Sequence, residues 1–309
     1  MPSRELVVLG TSAQVPTRER NQNGYVLRWE DQAILFDPGE GTQRQLLLAG
    51  VSTSAISAIC ITHFHGDHCL GLPGVLARFT LDQLERPTDL YFPASGVAYL
   101  ERLRHAAVFD AWPHLQPHPV PVDGAVIERG SFRLIAAPLD HTIDTLGWRV
   151  EEPEKRHMLT ERLAARGIEG PDVGRLVRAG ALDLEDGRVT LDEMSEPRAG
   201  QRFAFVMDTA PCDAAIALAD GADLVVCEST FLDAEEDLAR RYRHLTARQA
   251  GWIAAEARAR CLVLTHFSQR YRDATHFRAE AEAVFADVVA ARDLSTVAIP
   301  PRRESTPIA

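Results

Sequence analysis

The chain reads as an α/β protein, and three observations lead there. Five apolar runs of strand length each end on an imidazole or a carboxylate: ICIT before His63, FRLIAAPLD before His141, FAFVM before Asp208, LVVC before Glu228 and CLVLT before His266. Between them lie stretches whose apolar residues follow helical spacing, the alternation expected when strands and helices share one sheet-based domain. With 46% of its 309 residues hydrophobic, the chain can bury a large core as one domain, 1–309.

In chain order, ELVVLGTS predicts a strand running into a Gly-Thr-Ser turn, and PTRERNQNGY, polar and rich in turn formers, predicts a loop. GYVLRW and QAILF predict two strands joined by a polar turn. A short helix follows, its start marked by Asp37-Pro38-Gly39 and its end by Gly50, with Leu46, Leu47 and Leu48 expected against a sheet. PGVLARFTLDQL predicts a helix opening at Pro73. From Thr88 to Gly130 the pattern is strand, helix, strand, interrupted by WPHLQPHPVPVDG, where proline neighbours force extended backbone and His114 and His118 read as loop residues. After Asp208 come a helix, the LVVCE strand, and a helix-break-helix in which Thr246 suits the second N-cap and His244 sits at the break. HFRAEAEAVFADVVAARD, with Phe277, Ala281, Val284, Phe285 and Val288 on one face, predicts a packing helix, and the tail PPRRESTPIA a frayed end.

The densest chemistry lies at Ile59–Gly71, ICITHFHGDHCLG. His63, His65, Asp67 and His68 fall within six residues. On an extended loop, residues two apart point to the same side, so His63 and His65 can share a ligand, while Gly66 turns the chain before Asp67 and His68. Neutral imidazole and carboxylate are donors that zinc accepts, and four on one loop suffice to begin two metal sites. Functional groups in α/β sheets gather beyond the carboxyl ends of strands, so the other polar strand endings can reach the same cleft. Cys60, inside a strand pattern, reads as a core thiol.

The remaining cysteines, Cys69, Cys212, Cys227 and Cys261, are scattered and bring the total to an odd five, which argues for reduced thiols over a disulfide framework. No uninterrupted apolar run of about 18 residues occurs, and MPSRELVVLGTS lacks a signal-peptide pattern, so the expectation is a soluble, cytoplasmic protein without a membrane partner. A net charge of -11 argues against a generally basic, nucleic-acid-coating surface. A local exception stands between His141 and Asp208: within Lys155–Arg178, six basic residues oppose three acidic ones. A charge run is ordinarily a solvated face, but reversed sign in an acidic chain also suits phosphate contacts.

The HxHxDH loop resembles the signature of the metallo-β-lactamase superfamily. LGTSAQVPTRERN, HFHGDHCLGLPG, PLDHTIDTLGWRV, FVMDTAPC, CESTFLDAEEDLARRYRHLTARQA and LTHFSQRY are similar, over nearly the whole chain, to successive motifs of the ribonuclease Z family of tRNA 3′-processing endonucleases. The resemblance implies an αββα four-layer sandwich with an inserted flexible arm at about 151–200, where Gly167-Ile168-Glu169-Gly170-Pro171 is similar to the family's arm. It implies removal of the 3′ trailer from precursor tRNA by two-metal hydrolysis. Two Zn²⁺ per subunit, or Mn²⁺ or Fe²⁺ instead, would be held by His63, His65 and His141 and by Asp67, His68 and His266, with Asp208 bridging. Asp67 would accept a proton from water, and His244, paired with Glu228, would act as general acid. Substrate contacts would fall to Arg18, Arg20, Asn21, Arg162, Arg166, Arg175 and Arg178, and a homodimer would lend one subunit's arm to the other. Arg18 stands where the family has lysine, Cys227 where it has histidine, and Ser229 where it has alanine. A small-molecule phosphodiesterase or esterase would share the ligands but need neither arm nor PTRERN loop, and a non-catalytic RNA-binding subunit would commonly lose ligands.

Overall fold

The structure, a computed structural model, describes residues 4–108 and 114–302. The chain forms two compact units: 1–150 with 202–300, and 151–201 with the residues from 301 onward.

In the larger unit, β1 (Glu5–Gly10), β2 (Gly24–Trp29), β3 (Gln32–Phe36), β4 (Ile56–Cys60), β5 (Thr88–Pro93) and β6 (Leu115–Val120) form one sheet in that order, with Thr296–Ala298 paired to the outer edge of β1. A second sheet starts from β7 (Ala125–Arg129), β8 (Phe132–Leu139) and β9 (Thr145–Glu151). It continues, after the smaller unit, through the strands Arg202–Val206, Leu224–Glu228, Leu262–Thr265 and Val288–Ala290. These last four pair in parallel, so their carboxyl ends emerge on one side.

Strand alternation explains why the sheets stack face to face. One set of alternating residues (Leu6, Val8, Tyr25, Leu27, Trp29, Ile34 and Phe36) meets Phe132, Leu134, Trp148, Phe203, Phe205, Leu224 and Val226 of the other sheet in a shared core. Phe36 stacks on Phe205 with centroids 4.7 Å apart. Burying each such large side chain is worth about 1.5 to 3 kcal/mol. The opposite set on the first sheet (Val7, Leu9, Val26, Leu35, Ile59 and Ile61) packs under α1 (Thr42–Leu48), α3 (Leu72–Leu81) and α4 (Val97–Arg104), with α2 (Gly66–Cys69) carrying part of the histidine loop. On the second sheet, Ala204, Val206, Val225, Cys227, Leu262 and Leu264 pack under three further helices. The result is the four-layer αββα sandwich.

The smaller unit holds β10 (Lys155–Met158) paired with β13 (Ser195–Arg198), the hairpin β11 (Ala181–Leu184) and β12 (Gly187–Thr190), and helices α5 (Thr160–Ala165), α6 (Pro171–Ala179) and α7 (Leu191–Met194). It is more than a charged loop. Leu163, Ile168, Leu176, Leu182, Val189 and Met194 form a core of their own. The positive run is also partly neutralised from beyond its end, where Arg156 pairs with Asp192 and Arg166 with Asp186, while Arg175 pairs with Asp172 inside the run.

Other sequence expectations need correction. The first helix starts at Thr42, and only Leu46 of its three leucines is buried; Leu47 and Leu48 are 76% and 50% exposed. His118 lies in β6, where its ring stacks on Tyr91 and its Nε2 meets Asp89 Oδ1 at 2.8 Å. The prolines beside it are tolerated because β6 is an edge strand that need not donate outward. The last predicted helix ends at Glu282; Val288 begins a strand instead, since two adjacent valines suit a parallel partner. The tail from Arg303 onward and residues 109–113 of the Pro-rich passage lie outside the described residues. All five cysteines are free, with Cys60 in the inter-sheet core.

Candidate metal centre

Five strands of this architecture deliver a polar residue to one end of the sandwich. β4 leads through Thr62 to His63 and His65; β8 turns through Asp140 to His141; Arg202–Val206 leads to Asp208; Leu262–Thr265 leads to His266. Leu224–Glu228 ends on Glu228, and His244 comes from the break between α9 (Glu236–Tyr242) and α10 (Ala247–Glu256), where Thr246 forms a capping box with Gln249.

Among the described residues, five overlapping trios bring their donor atoms within 4.8 Å of one another, three of them drawing in Asp208, Glu228 or His244; the two others, His63 with His65 and His141, and Asp67 with His68 and His266, share no residue. Asp208 Oδ2 reaches both, lying 3.8 Å from His63 Nε2, 3.2 Å from His68 Nε2 and 3.4 Å from His266 Nε2. A cleft of about 380 Å³ opens onto His65, Asp67, His141, Asp208, His244 and His266. A larger cleft of about 790 Å³, beside Arg20 and Val288–Asp293, touches none of these histidines and so lies apart from the chemistry.

Hydrogen bonds at the far side of each ring decide which nitrogen faces inward. Thr62 donates its hydroxyl to Asp37 Oδ2 (2.7 Å), so its oxygen accepts from His63 Nδ1 (3.0 Å). Thr230 donates to Glu228 Oε2 (2.7 Å) and accepts from His266 Nδ1 (2.7 Å). His68 Nδ1 donates to Asp37 Oδ2 (2.8 Å), and His141 Nδ1 to the Arg243 carbonyl (2.9 Å). With Nδ1 protonated, each of the four turns Nε2 toward the centre. His65 differs, presenting Nδ1, which lies 3.0 Å from His63 Nε2 and 3.3 Å from His141 Nε2.

Burial lowers the pKa of His63, His65 and His141, which keeps them neutral. Three neutral imidazoles whose nitrogens approach one another to 3.0 and 3.3 Å form a donor set that a divalent cation could take up. Around His68 the field has the other sign. Burial opposes its charge, but Asp208, Asp67 and Asp37 outweigh burial and raise its pKa, a field that favours a cation at this point. Asp208 Oδ1 is buried and has no hydrogen-bond partner. That orphaned carboxylate oxygen, together with the converging imidazoles, fits divalent metal.

Asp37, Arg243 and His266, all at this centre, adopt left-handed backbone with φ of 43°, 54° and 61°. Non-glycine residues in that region are sparse and concentrate at functional sites.

Residues 17–177 match the family described as the metallo-beta-lactamase superfamily. The ribonuclease Z of Salinispora arenicola is 56% identical over 304 residues, covering 98% of each chain. That of Nocardia farcinica is 54% identical, covering 98% of this chain and all of its own. The chain belongs to the ribonuclease Z family. The short form of human tRNase Z superposes with a TM-score of 0.70 at 25% identity, over 96% of this chain and all of that one. YhfI of Bacillus subtilis, at 18% identity and a TM-score of 0.70, shares the fold.

Against ribonuclease Z expectations, the departures sit away from the cleft. Cys227 points into the core under the helices of the second sheet, and strand alternation turns Glu228 the other way. Ser229 donates to the Thr265 carbonyl. Of the PTRERN residues, Arg20 donates to the carbonyls of Ser268 and Tyr271, and Asn21 to those of Gln22 and Glu40, so both brace the protein's own backbone. Arg18 is exposed. In the smaller unit Arg162 donates to the Glu193 carbonyl, while Arg166 and Arg175 have acidic partners and Arg178 is exposed.

Sequence reasoning missed Asp37, Thr62 and Arg243. Asp37 carried a usable signal, for QAILF ends on it just as the other apolar runs end on His63, His141, Asp208, Glu228 and His266. Its neighbours Pro38 and Gly39 made it read as helix punctuation. Arg243 carried none.

Proposed function

We infer that this protein is a metal-dependent endoribonuclease that removes the 3′ trailer from tRNA precursors, leaving a 3′-hydroxyl on the tRNA. The observation that carries the reading is the pair of three-donor groups with Asp208 reaching both, in a chain of the ribonuclease Z family.

In this reading His63, His65 and His141 would hold one ion and Asp67, His68 and His266 the other, with Asp208 placed to reach both groups. Imidazole and carboxylate donors suit Zn²⁺, with Mn²⁺ or Fe²⁺ as alternatives. Divalent ions, when bound there, would supply a water acidified toward neutral pH and positive charge for the phosphodiester. Asp67, whose Oδ2 lies 3.3 Å from both His68 Nε2 and His266 Nε2, orients the attacking water and accepts its proton. Buried carboxylates keep the cleft polar, so Asp37 and Glu228 act by holding imidazoles in place.

His244 gives its proton to the departing 3′-oxygen as the bond from phosphorus to that oxygen breaks. Burial works against its charged form, but Glu228, hydrogen-bonded to Nδ1 at 2.9 Å, outweighs it and raises the pKa to about 9. A proton is then available at neutral pH, and Nε2 is the nitrogen left to offer it.

The family resemblance supports a cytoplasmic homodimer acting on precursor tRNA; among the described residues no helix is long and apolar enough to cross a membrane. Light scattering of the purified protein tests the dimer. The activity is tested by incubating the metal-loaded protein with a 3′-extended tRNA precursor beside a small phosphodiester. Accurate release of the trailer supports the reading. Hydrolysis of the small ester alone would sink it.

A further inference from the structure

Four loops that carry the site are far apart in sequence, and a closed circuit of hydrogen bonds joins them. Arg243 Nη1 donates to Asp140 Oδ1 at 2.8 Å and to the His141 carbonyl at 3.0 Å. Asp140 in turn donates its N–H to Thr209 Oγ1 (3.1 Å) and accepts from the Ala210 N–H (2.7 Å), which ties it to the loop after Asp208. Thr209 N–H donates to Glu228 Oε1 (2.8 Å), the oxygen that also meets His244 Nδ1 (2.9 Å). His244 is bonded covalently to Arg243, and the circuit closes. Inside it, the Arg243 carbonyl accepts from His141 Nδ1 and sets that ring's tautomer.

We propose that Arg243, with Asp140, is a positioning residue that clamps the His141, Asp208 and His244 loops into one rigid frame. The proposal rests on the two-metal reading of the site and goes beyond it by naming what registers the metal ligands against the general acid. Two features point to position over stability. The Arg243 and Asp140 side chains are 51% and 49% exposed, a setting in which an ion pair contributes little to folding. Arg243 also holds a left-handed φ of 54°, which aims its carbonyl at His141 while its guanidinium reaches around to the same residue's own carbonyl. Displacements of about 1 Å in such a frame can cost about 10²-fold in rate.

The deciding substitutions are Arg243→Gly, which suits the positive φ and keeps the carbonyl but removes the guanidinium, and Asp140→Asn, which keeps the shape but removes the charge. Each is expected to lower kcat on a small phosphodiester by about 10-fold or more with little change in KM. Each should also release metal at a roughly 10-fold lower chelator concentration than wild type, the size of effect seen when support around a ligand is lost. The double variant should be no worse than the poorer single one, because both cut the same link. Arg243→Lys should recover part of the loss. Thermal melting and circular dichroism check folding, and Asp140→Asn stands if Arg243→Gly does not fold. Wild-type kcat and chelator resistance in both single variants would overturn the clamp, as would fully additive losses. A defect confined to KM and salt dependence on precursor tRNA would also overturn it, since Arg243 would then be a phosphate contact. Wild-type protein that holds no divalent ions would overturn the reading of the site itself, and the clamp with it.

Discussion

His244 Nδ1 lies 2.9 Å from Glu228 Oε1, while Thr230 Oγ1 stands 2.7 Å from Glu228 Oε2 and 2.7 Å from His266 Nδ1. One buried carboxylate therefore holds His244 with one oxygen and, through the Thr230 hydroxyl, His266 with the other.

Removal of the acid should separate from removal of the metal. His244→Ala is expected to slow cleavage by about 10² to 10⁴ fold with metal content unchanged. A phosphodiester with a better leaving group should escape most of that loss. Equal slowing on good and poor leaving groups would count against the assignment.

Asp37 is fully buried and orients His68 and, through Thr62, His63. Asp37→Ala should weaken metal binding about 10 to 100 fold, read by chelator competition. His63→Ala, which deletes a donor outright, should lower the metal content itself. Two tightly held ions and full activity in the His63 variant would refute the ligand set.

Replacing Arg162, Arg166, Arg175 and Arg178 together by alanine should weaken precursor-tRNA binding and flatten its salt dependence. Each lost phosphate contact removes roughly 0.7 to 0.9 from the log-log slope. Arg166 and Arg175 already have acidic partners, so Arg162 and Arg178 should account for most of the change. Hydrolysis of a small phosphodiester should stay at the wild-type rate. Unchanged tRNA affinity would return the segment to an ordinary solvated face.

Away from the candidate metal centre, Asp89 joins β5 to His118 and Arg129 at 2.8 and 2.5 Å. Burial works against its charge, but those two hydrogen bonds outweigh burial and depress its pKa. A depressed carboxylate contributes stability above its unfolded value, near 4, and loses it as pH falls through the folded value. Solvent screening around this partly exposed cluster limits the cost of Asp89→Asn at neutral pH to about 1 kcal/mol or less. The gap in Tm between wild type and variant should close as the pH drops below about 4. A gap independent of pH would show that packing, and not charge, is at stake.

Strand identity and the polar residues that end the strands were legible without coordinates because both are local. An apolar run ending in His63, His141, Asp208, Glu228 or His266 announces itself through period and composition, and a shared strand direction sends such endings to one side. The helix break at His244 was legible for the same reason, since Thr246 caps from within three residues. What the tertiary structure alone decided are relationships across distance. Asp37 became a histidine anchor only when β3 was laid beside β4, and Cys227 became harmless only when the sheet turned it toward the helices. The positive run of the smaller unit met Asp186 and Asp192 only once the hairpins closed. Arg243 acquired a role through a backbone conformation and through partners 102 and 103 residues away. Hydrogen bonds of that kind depend on orientation to within a fraction of an ångström, which spacing along a chain does not encode.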